Sequence, residues 1–307
     1  MLSWTEKYRP RKWDDFVGQK KTVKILRAFL ENKTIPNLLF YGHFGSGKTS
    51  LMELFLREFY ETDVIDSRYV QIFNASDDRG LDTVRETIFN FVNTKSLFEN
   101  KLKFVILDEA DYMLDASQFL LRNIIDKYSD GVRFILICNY VAKIQPSLKN
   151  KFCCLRFSKL EDEYINQLLD SISIQESIPP LSDVYRNWIL IKSQGDIRKS
   201  ITMFQWLISR TDKRIEDHED EINTYYIIQN SMNTTELRGV LDRSMMNNDL
   251  KMFLARRIFQ FAIENSKVPV CKKVYELQNM INGDKSDLII RGFFTSILAE
   301  LDGVIVW

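Results

Sequence analysis

The clearest chemical signal in the chain is a glycine-rich run between an apolar stretch at 38–40 and a helix-spaced stretch at 51–56. This order of strand, glycine loop and helix is the context that a Walker A loop requires. Glycines let consecutive backbone N–H groups turn towards phosphate oxygens, and the following helix directs its positive end at the same anion. The pattern predicts a nucleoside triphosphate site, with a chance glycine turn as the alternative. The phosphate-binding residues would be Gly42, His43, Phe44, Gly45, Ser46, Gly47, Lys48, Thr49 and Ser50.

Two further groups of side chains complete the chemistry of this site. We expect Lys48 to reach the β- and γ-phosphates and the Thr49 hydroxyl to ligate Mg²⁺. The apolar run at 103–107 predicts a strand buried on both faces of a parallel sheet, and it ends at Asp108 and Glu109. Asp108 can hold the Mg²⁺ shell and Glu109 can polarise an attacking water, although a solvated acidic turn is the alternative. Asn139, at the end of the strand predicted at 133–138, can orient that water.

Composition places the chain among ordinary globular proteins. It has 307 residues, 45% hydrophobic and 27% charged, which predicts two or three domains. Forty-two basic residues balance 42 acidic ones, which argues against a basic coat for nucleic acid but leaves room for a narrow basic track. The four cysteines have no C-x-x-C spacing, so we expect buried thiols in a reducing compartment. No apolar run is long enough to predict a membrane span.

Three further runs resemble one protein family. Residues 4–10 read Trp-Thr-Glu-Lys-Tyr-Arg-Pro, residues 15–19 read Asp-Phe-Val-Gly-Gln, and residues 74–80 read Asn-Ala-Ser-Asp-Asp-Arg-Gly. Taken alone, the segment 3–19 would be an extended arm, and 74–80 would be a polar turn before a helix at 81–91. Together they strongly resemble the small subunits of replication factor C, sliding-clamp loaders among the AAA+ ATPases. The resemblance covers roughly residues 3 to 205.

This resemblance implies roles for several residues around ATP and Mg²⁺. Tyr8, Arg9, Pro10 and Val17 would neighbour the adenine and ribose. Asn139 matches the family's sensor 1. Gly-Asp-Ile-Arg at 195–198 matches sensor 2, which implies that Arg198 reaches the γ-phosphate from a helical lid.

The resemblance also implies a basic face towards DNA and an amphipathic helix that relays signals. Arg79, Arg85 and Lys143 would contact phosphates without reading bases, although exposed basic residues are commonly just solvated. The helix predicted at 116–127 places Phe119 on its apolar face and Gln118 on its polar face. It is similar to the helix that links nucleotide and DNA in clamp loaders, although the pattern alone fits any surface helix.

One departure from the family pattern concerns the arginine that each subunit inserts into its neighbour's ATP site. Where small subunits of replication factor C carry Ser-Arg-Cys, this chain has Asn-Lys-Phe at 150–152. A guanidinium grips a phosphate with two parallel bonds, which an ammonium cannot do. We therefore predict that Lys151 is a degenerate finger and that the subunit activates its neighbour poorly. The alternatives are that Lys151 suffices or that Arg156 takes its place.

The fold expected is an α/β AAA+ P-loop domain, a parallel sheet in an αβα sandwich with a helical lid, followed by an all-α collar. The predicted bounds are 1–158 for the nucleotide-binding core, 159–222 for the lid and 223–307 for the collar, with a charged loop at 210–221. The partners implied are other subunits of a hetero-pentamer, a sliding clamp and primer–template DNA, with no membrane. The location implied is the site of replication, in the nucleus, or in the cytoplasm or a viral factory for a prokaryotic or viral source.

Two other functions are compatible with part of these motifs. A different AAA+ DNA-remodelling ATPase, such as a branch-migration motor, would share both Walker motifs and sensor 2 but not the runs at 4–10 and 74–80. A scaffold subunit that binds ATP with little turnover would have no need of the intact set Lys48, Thr49, Asp108 and Glu109.

Overall fold

The computed structural model of the protein describes residues 3–75, 81–93, 102–128, 131–209, 216–231, 234–243, 247–264, 267–282 and 287–301. These residues include a five-stranded sheet in the order β2-β3-β4-β1-β5, in which every pair of neighbours is parallel. The strands are β1 (Leu38–Gly42), β2 (Val70–Asn74), β3 (Lys103–Asp108), β4 (Val132–Cys138) and β5 (Cys153–Phe157). The parallel sheet predicted from the continuous apolar runs is confirmed.

Alternate side chains of the central strands enter two separate cores. One core packs the sheet against α2 (Lys20–Glu31) and α3 (Lys48–Tyr60). The other packs it against α4 (Leu81–Asn93), α5 (Asp115–Lys127) and α6 (Pro146–Lys149). Side chains point alternately to the two faces of a strand, and helices cover both faces of this sheet. The central strands are therefore unbroken apolar runs in the sequence. The result is the αβα sandwich expected from the sequence.

The strand order gathers the chemical residues at one edge of the sheet. β4 pairs with β1 on one side and β3 on the other, so the loops that follow all three strands lie side by side. The crevice beyond the carboxyl ends of parallel strands is where such sheets bind ligands.

The chain divides into two compact units, and the sheet belongs to the first. That unit, residues 1–180 and 192–206, also contains α1 (Trp4–Lys7), α7 (Asp162–Gln175) and most of α9 (Ile197–Ser209). The prediction of an extended arm at 3–19 is wrong in two places, because α1 and a 3₁₀ turn at Trp13–Asp15 form there. Trp4 and Trp13 are buried, and packing of these rings stabilises a turn that the local sequence does not specify.

In the second unit, residues 181–191 and 207–307, all the regular structure among the described residues is helical. Its helices are most of α8 (Asp183–Ser193), then α10 (Glu216–Asn230), α11 (Thr234–Arg243), α12 (Asn248–Glu264), α13 (Val268–Asn282) and α14 (Asp287–Leu301). Its core includes Leu254, Ile258, Val274, Leu277, Phe294 and Ile297. The charged loop predicted at 210–221 is partly wrong, since α10 already begins at Glu216.

Smaller differences concern the ends of elements and the thiols. β2 begins at Val70 instead of Arg68, and β5 was not predicted. All four cysteines are free, but only Cys138 is fully buried. Within the described ranges, the helices are too short or too polar to cross a bilayer.

Candidate nucleotide site

The Lys48 ammonium lies at the centre of the carboxyl edge. Lys48 is the first residue of α3 and is only 8% exposed. Its Nζ donates to Oδ1 of Asn139 at 2.7 Å and to the backbone carbonyls of Gly42 and His43 at 2.9 and 2.8 Å. Burial lowers the pKa of Lys48. The structure thus brings together the predicted phosphate-binding lysine, at the start of the helix after β1, and the predicted sensor amide, directly after the neighbouring strand β4.

The glycine loop is shaped by its contact with the start of α9. Gly45 has φ +58, and a Cβ there would lie 1.8 Å from Oδ1 of Asp196. The N–H of Ile197 donates to the Gly45 carbonyl at 3.2 Å, and Oδ1 of Asp196 accepts the N–H of Lys199 at 3.0 Å. A carboxylate accepting N–H groups of the first turn stabilises the start of a helix. The hydrogen bond between Ile197 and Gly45 holds Arg198, which follows Ile197 in α9, beside the glycine loop.

The carboxylates predicted for metal and water chemistry belong to adjacent residues, and that of Asp108 contacts the first turn of α3. Thr49 Oγ1 donates to Oδ2 of Asp108 at 3.2 Å, and the N–H of Glu109 donates to Oδ1 of Asp108 at 2.8 Å. A hydroxyl beside a carboxylate is a donor set of hard oxygens, which Mg²⁺ prefers. Glu109 has φ 55, a left-handed conformation that costs a non-glycine residue about 1–3 kcal/mol. Such strain is common at functional sites.

A cavity of about 270 Å³ extends from these groups towards the N-terminal segment. Tyr8, Arg9, Pro10 and Val17, the residues predicted to neighbour the base, all line it. Arg9 is held to α3 by Ser50 Oγ at 3.4 Å and by Glu53 at 3.1 Å. The N-terminal segment and the glycine loop therefore form two walls of one cavity.

Most predicted nucleotide residues line this cavity, with two exceptions. The backbone carbonyls of Gly42 and His43 instead accept hydrogen bonds from the Lys48 ammonium. Sequence reasoning missed several other lining residues: Thr5, Glu6, Asp15, Phe16, Tyr112, Ile137, Cys138, Leu160, Leu168, Ile197 and Ile201. Of these, Thr5, Glu6, Asp15 and Phe16 belong to the family-like runs at 4–10 and 15–19, and Ile197 to the run at 195–198, so all five could have been included.

Two buried polar side chains fix the loop that follows Asn139. Asp111 Oδ2 accepts the N–H of Tyr140 at 3.2 Å. The Gln118 amide donates to the Lys143 carbonyl at 3.0 Å and accepts the N–H of Gln145 at 2.8 Å. This network joins the first turn of α5 to the loop that carries the predicted sensor.

The exposure predicted for two adjacent residues of α5 is wrong, because the structure reverses it. Gln118, predicted on the polar face, is 1% exposed because its amide satisfies loop backbone groups. Phe119, predicted on the apolar face, is 54% exposed.

Only part of the predicted DNA face falls within the described residues. Lys143 is exposed, with its Nζ 5.2 Å from the ring centre of Tyr112 and 5.6 Å from that of Tyr140. Arg79 and the side chain of Arg85 lie outside the described residues, although Arg85 belongs to α4.

Lys151 lies between α6 and β5 and forms an ion pair within its own chain. Its Nζ is 2.6 Å from Oδ1 of Asp126 near the end of α5, with both side chains partly exposed. Arg156, the alternative finger, lies within β5 opposite Tyr41. It is thus close to the carboxyl end of that strand, whereas Lys151 precedes the strand.

Comparison with known proteins places this geometry in a family. Residues 38–160 match the model for the ATPase family associated with various cellular activities (AAA). Replication factor C subunit 3 of Saccharomyces cerevisiae is 34% identical over 248 residues, covering 81% of this chain and 72% of that protein. Subunit 3 of Blastobotrys adeninivorans is 32% identical over 89% of this chain and 82% of that protein.

Other similarities cover less of the relative or show the fold alone. The probable replication factor C subunit 5 of Caenorhabditis elegans is 42% identical over 213 residues, 66% of this chain. The chain spans 57% of the length of that protein and 59% of the length of replication factor C subunit 3 of Schizosaccharomyces pombe. The RuvB Holliday junction branch migration motor of Thermotoga maritima has a similar fold, with a TM-score of 0.53 over 85% of this chain and 80% of that one at 17% identity. The resemblance to replication factor C subunits is thereby confirmed, and the chain belongs to the replication factor C subunit family.

Proposed function

We propose that the protein is an ATP-hydrolysing subunit of a sliding-clamp loader. The observation that carries the proposal is the juxtaposition of Lys48 with Asn139 and of Thr49 with Asp108 at one sheet edge. ATP binding would open a ring-shaped clamp and grip primer–template DNA, and hydrolysis would release the closed clamp on the duplex. The relatives named as replication factor C subunits support this assignment.

Each residue of the site has a distinct part in the proposed reaction. Lys48 would neutralise the transferring phosphoryl group, for which its bonds to Asn139 and two carbonyls already hold it in place. Glu109 would accept a proton from the attacking water, and Asn139 would orient that water. Thr49 and Asp108 are the residues that would hold Mg²⁺. Mg²⁺ held there would supply charge neutralisation for the phosphates.

The lid would report the state of the nucleotide. Arg198 lines the cavity from the first turn of α9, and the adjacent Ile197 is hydrogen-bonded to the glycine loop. A γ-phosphate would attract the Arg198 guanidinium and shift the position of α9, a closure around the ligand. We assign residues 1–158 to the nucleotide-binding core, 159–222 to this lid and 223–307 to a collar that joins subunits.

DNA binding would be electrostatic and independent of sequence. Lys143 is exposed near Tyr112, which lines the nucleotide cavity, and Gln118 links its backbone to α5. With Arg79 and Arg85, it would contact phosphates of a duplex inside the assembled ring. We propose a hetero-pentamer acting at replicating DNA in the nucleus, with the clamp as the other protein partner.

The finger residue argues for unlike subunits. Lys151 lacks the bidentate geometry of arginine, and it is paired with Asp126 in its own chain. A ring built only from this chain would lack every arginine finger. We propose that this subunit hydrolyses ATP with an arginine supplied by a different subunit.

The test is ATP turnover by the purified chain, alone and with primer–template DNA and a sliding clamp. We expect a low rate that rises when a second, finger-bearing subunit is added. A rate that responds to neither DNA nor clamp, even in the assembled complex, contradicts the clamp-loader function. A complex that loads clamps equally well with Glu109→Ala contradicts hydrolysis at this site and leaves a nucleotide-binding scaffold.

A further inference from the structure

Helix α1 is attached to two helices that follow the sheet in sequence. Trp4 is 8% exposed, and its ring centre lies 5.4 Å from that of Phe204 on α9. The backbone N–H of Trp4 donates to Oε1 of Gln205 at 3.0 Å. These two contacts dock the start of the N-terminal segment on α9 without using any residue of the nucleotide cavity.

The other end of α1 is held by one carboxylate at the end of α7. Oε1 of Glu176 accepts the Tyr8 hydroxyl at 2.5 Å and the Lys7 ammonium at 2.6 Å. Hydrogen bonds to an ionised acceptor are short and about twice as strong as neutral ones. The Lys7 hydrogen bond, and then that of Tyr8, lower the pKa of Glu176, so the carboxylate stays ionised near neutral pH. We call Lys7, Tyr8 and Glu176 the N-terminal clasp.

The clasp acts on the cavity through Tyr8. Tyr8 lines the predicted base end, whereas Glu176 lies outside the cavity. The next residue, Arg9, is bonded to Ser50 and Glu53 of the helix that begins at Lys48. Tyr8 therefore lies between a contact with the end of α7, made by its own hydroxyl, and a contact with α3, made by Arg9.

We propose that Glu176 is a positioning residue for recognition of the nucleotide base, holding the Tyr8 ring at the base end of the cavity and linking α7 to base occupancy. This inference rests on the proposed nucleotide-binding function. Ordering a free side chain on binding weakens affinity, and the clasp orders Tyr8 in advance. Trp4 keeps α1 docked on α9, and its ring centre lies 6.1 Å from that of Tyr8. Loss of the clasp therefore removes the hydrogen bond that fixes the Tyr8 hydroxyl without detaching the segment.

The experiment compares two probes on the full chain by titration calorimetry. ATP reports on the base and phosphate ends together, and inorganic tripolyphosphate reports on the phosphate end alone. We expect Glu176→Ala to weaken ATP binding roughly three- to tenfold and to leave tripolyphosphate binding within about twofold. Glu176→Gln keeps an acceptor for Tyr8 and should restore part of the loss. Glu163→Gln, an exposed carboxylate near the other end of α7, is the matched control and should change neither affinity.

A double-mutant cycle tests the route through Tyr8. Tyr8→Phe removes only the hydroxyl, so combining it with Glu176→Ala should cost no more ATP affinity than Glu176→Ala alone. Unchanged ATP affinity in Glu176→Ala, or an equal loss for both probes, would overturn the inference. Failure of the unmodified protein to bind either probe would instead overturn the proposed function. Thermal unfolding midpoints of all variants confirm that each one is folded.

Discussion

The ion pair between Lys151 and Asp126 allows a quantitative test of the degenerate finger. The perturbations are Lys151→Arg, which restores a guanidinium that can form two parallel bonds with a phosphate, and Asp126→Asn, which releases the native lysine from its ion pair. Both side chains of the pair are partly exposed, 37% and 44%, with 2.6 Å between Nζ and Oδ1. An exposed pair of this kind contributes about 0.2–1 kcal/mol. Releasing it can therefore increase the availability of Lys151 by a factor of about five at most.

The arginine itself is expected to have a far larger effect. An arginine finger increases turnover by about 10³–10⁵ because its fork stabilises the charge of the transferring phosphoryl group. Lys151→Arg should thus raise turnover at the neighbouring site by orders of magnitude, even if the new arginine pairs with Asp126. The effect of Asp126→Asn should stay below about fivefold.

The assay is ATP turnover in assembled complexes whose other sites are silenced, so that the rate reports the site facing Lys151. Lys149→Arg, close in sequence and outside the ion pair, serves as the matched control. Unchanged turnover with Lys151→Arg would refute the idea that the absence of a guanidinium at this position limits turnover at the neighbouring site. An increase with Asp126→Asn as large as that with Lys151→Arg would show that an ammonium is sufficient and is only held back by Asp126.

Four further measurements test the site and its surroundings. Glu109→Gln keeps the shape of the side chain but removes the base, so turnover should fall about 10²–10⁴-fold at unchanged ATP affinity, and a smaller loss would argue for another base. Gln118→Ala leaves loop groups of Lys143 and Gln145 unpaired, so unfolding free energy should drop by about 1–3 kcal/mol, and stimulation by DNA should fall more than basal turnover. Burial raises the pKa of Cys138 to about 12, so at pH 8.5 iodoacetamide should label it roughly a thousandfold more slowly than an ordinary thiol; rapid labelling in the folded protein would contradict that burial. Phosphate contacts by Arg79, Arg85 and Lys143 predict a slope of about −3 in log affinity for DNA against log salt concentration, and a flat dependence would exclude this face.

The parts of the fold that could be predicted from sequence are those fixed by local pattern. Unbroken apolar runs predicted β3 and β4 because both faces of these strands are covered. The glycine loop was predictable because its backbone requires φ values that side chains disfavour, as at Gly45. Parallel sheets bind ligands beyond the carboxyl ends of their strands. Once the strands are known to be parallel, this predicts that Lys48, Asp108 and Asn139 lie close together.

The parts that could not be predicted depend on contacts between distant residues. Gln118 has the periodicity of a surface position, and only the backbone groups of the loop after Asn139 explain its burial. Glu176 follows α7 in a polar stretch, and no spacing connects it with Tyr8 at a separation of 168 residues. β5 is a short edge strand whose pattern contains an exposed Arg156, so it lacks the continuous apolar run of the central strands.

These long-range contacts share a physical property that bears on function. The sheet-edge side chains of Lys48, Thr49, Asp108 and Asn139 project from the ends of strands and the start of α3, so their positions are set by the fold. The clasp and the Gln118 network instead join the N-terminal segment to α7 and the loop after Asn139 to α5 through side-chain hydrogen bonds, and a backbone hydrogen bond joins the glycine loop to Ile197 of α9. Neutral hydrogen bonds of this kind, such as those of Gln118, contribute about 0.5–1.5 kcal/mol, small enough to be exchanged for contacts with a ligand. We therefore expect the sheet-edge residues to determine whether nucleotide is hydrolysed, and the long-range bonds to determine how its presence is transmitted to α5, α7 and α9.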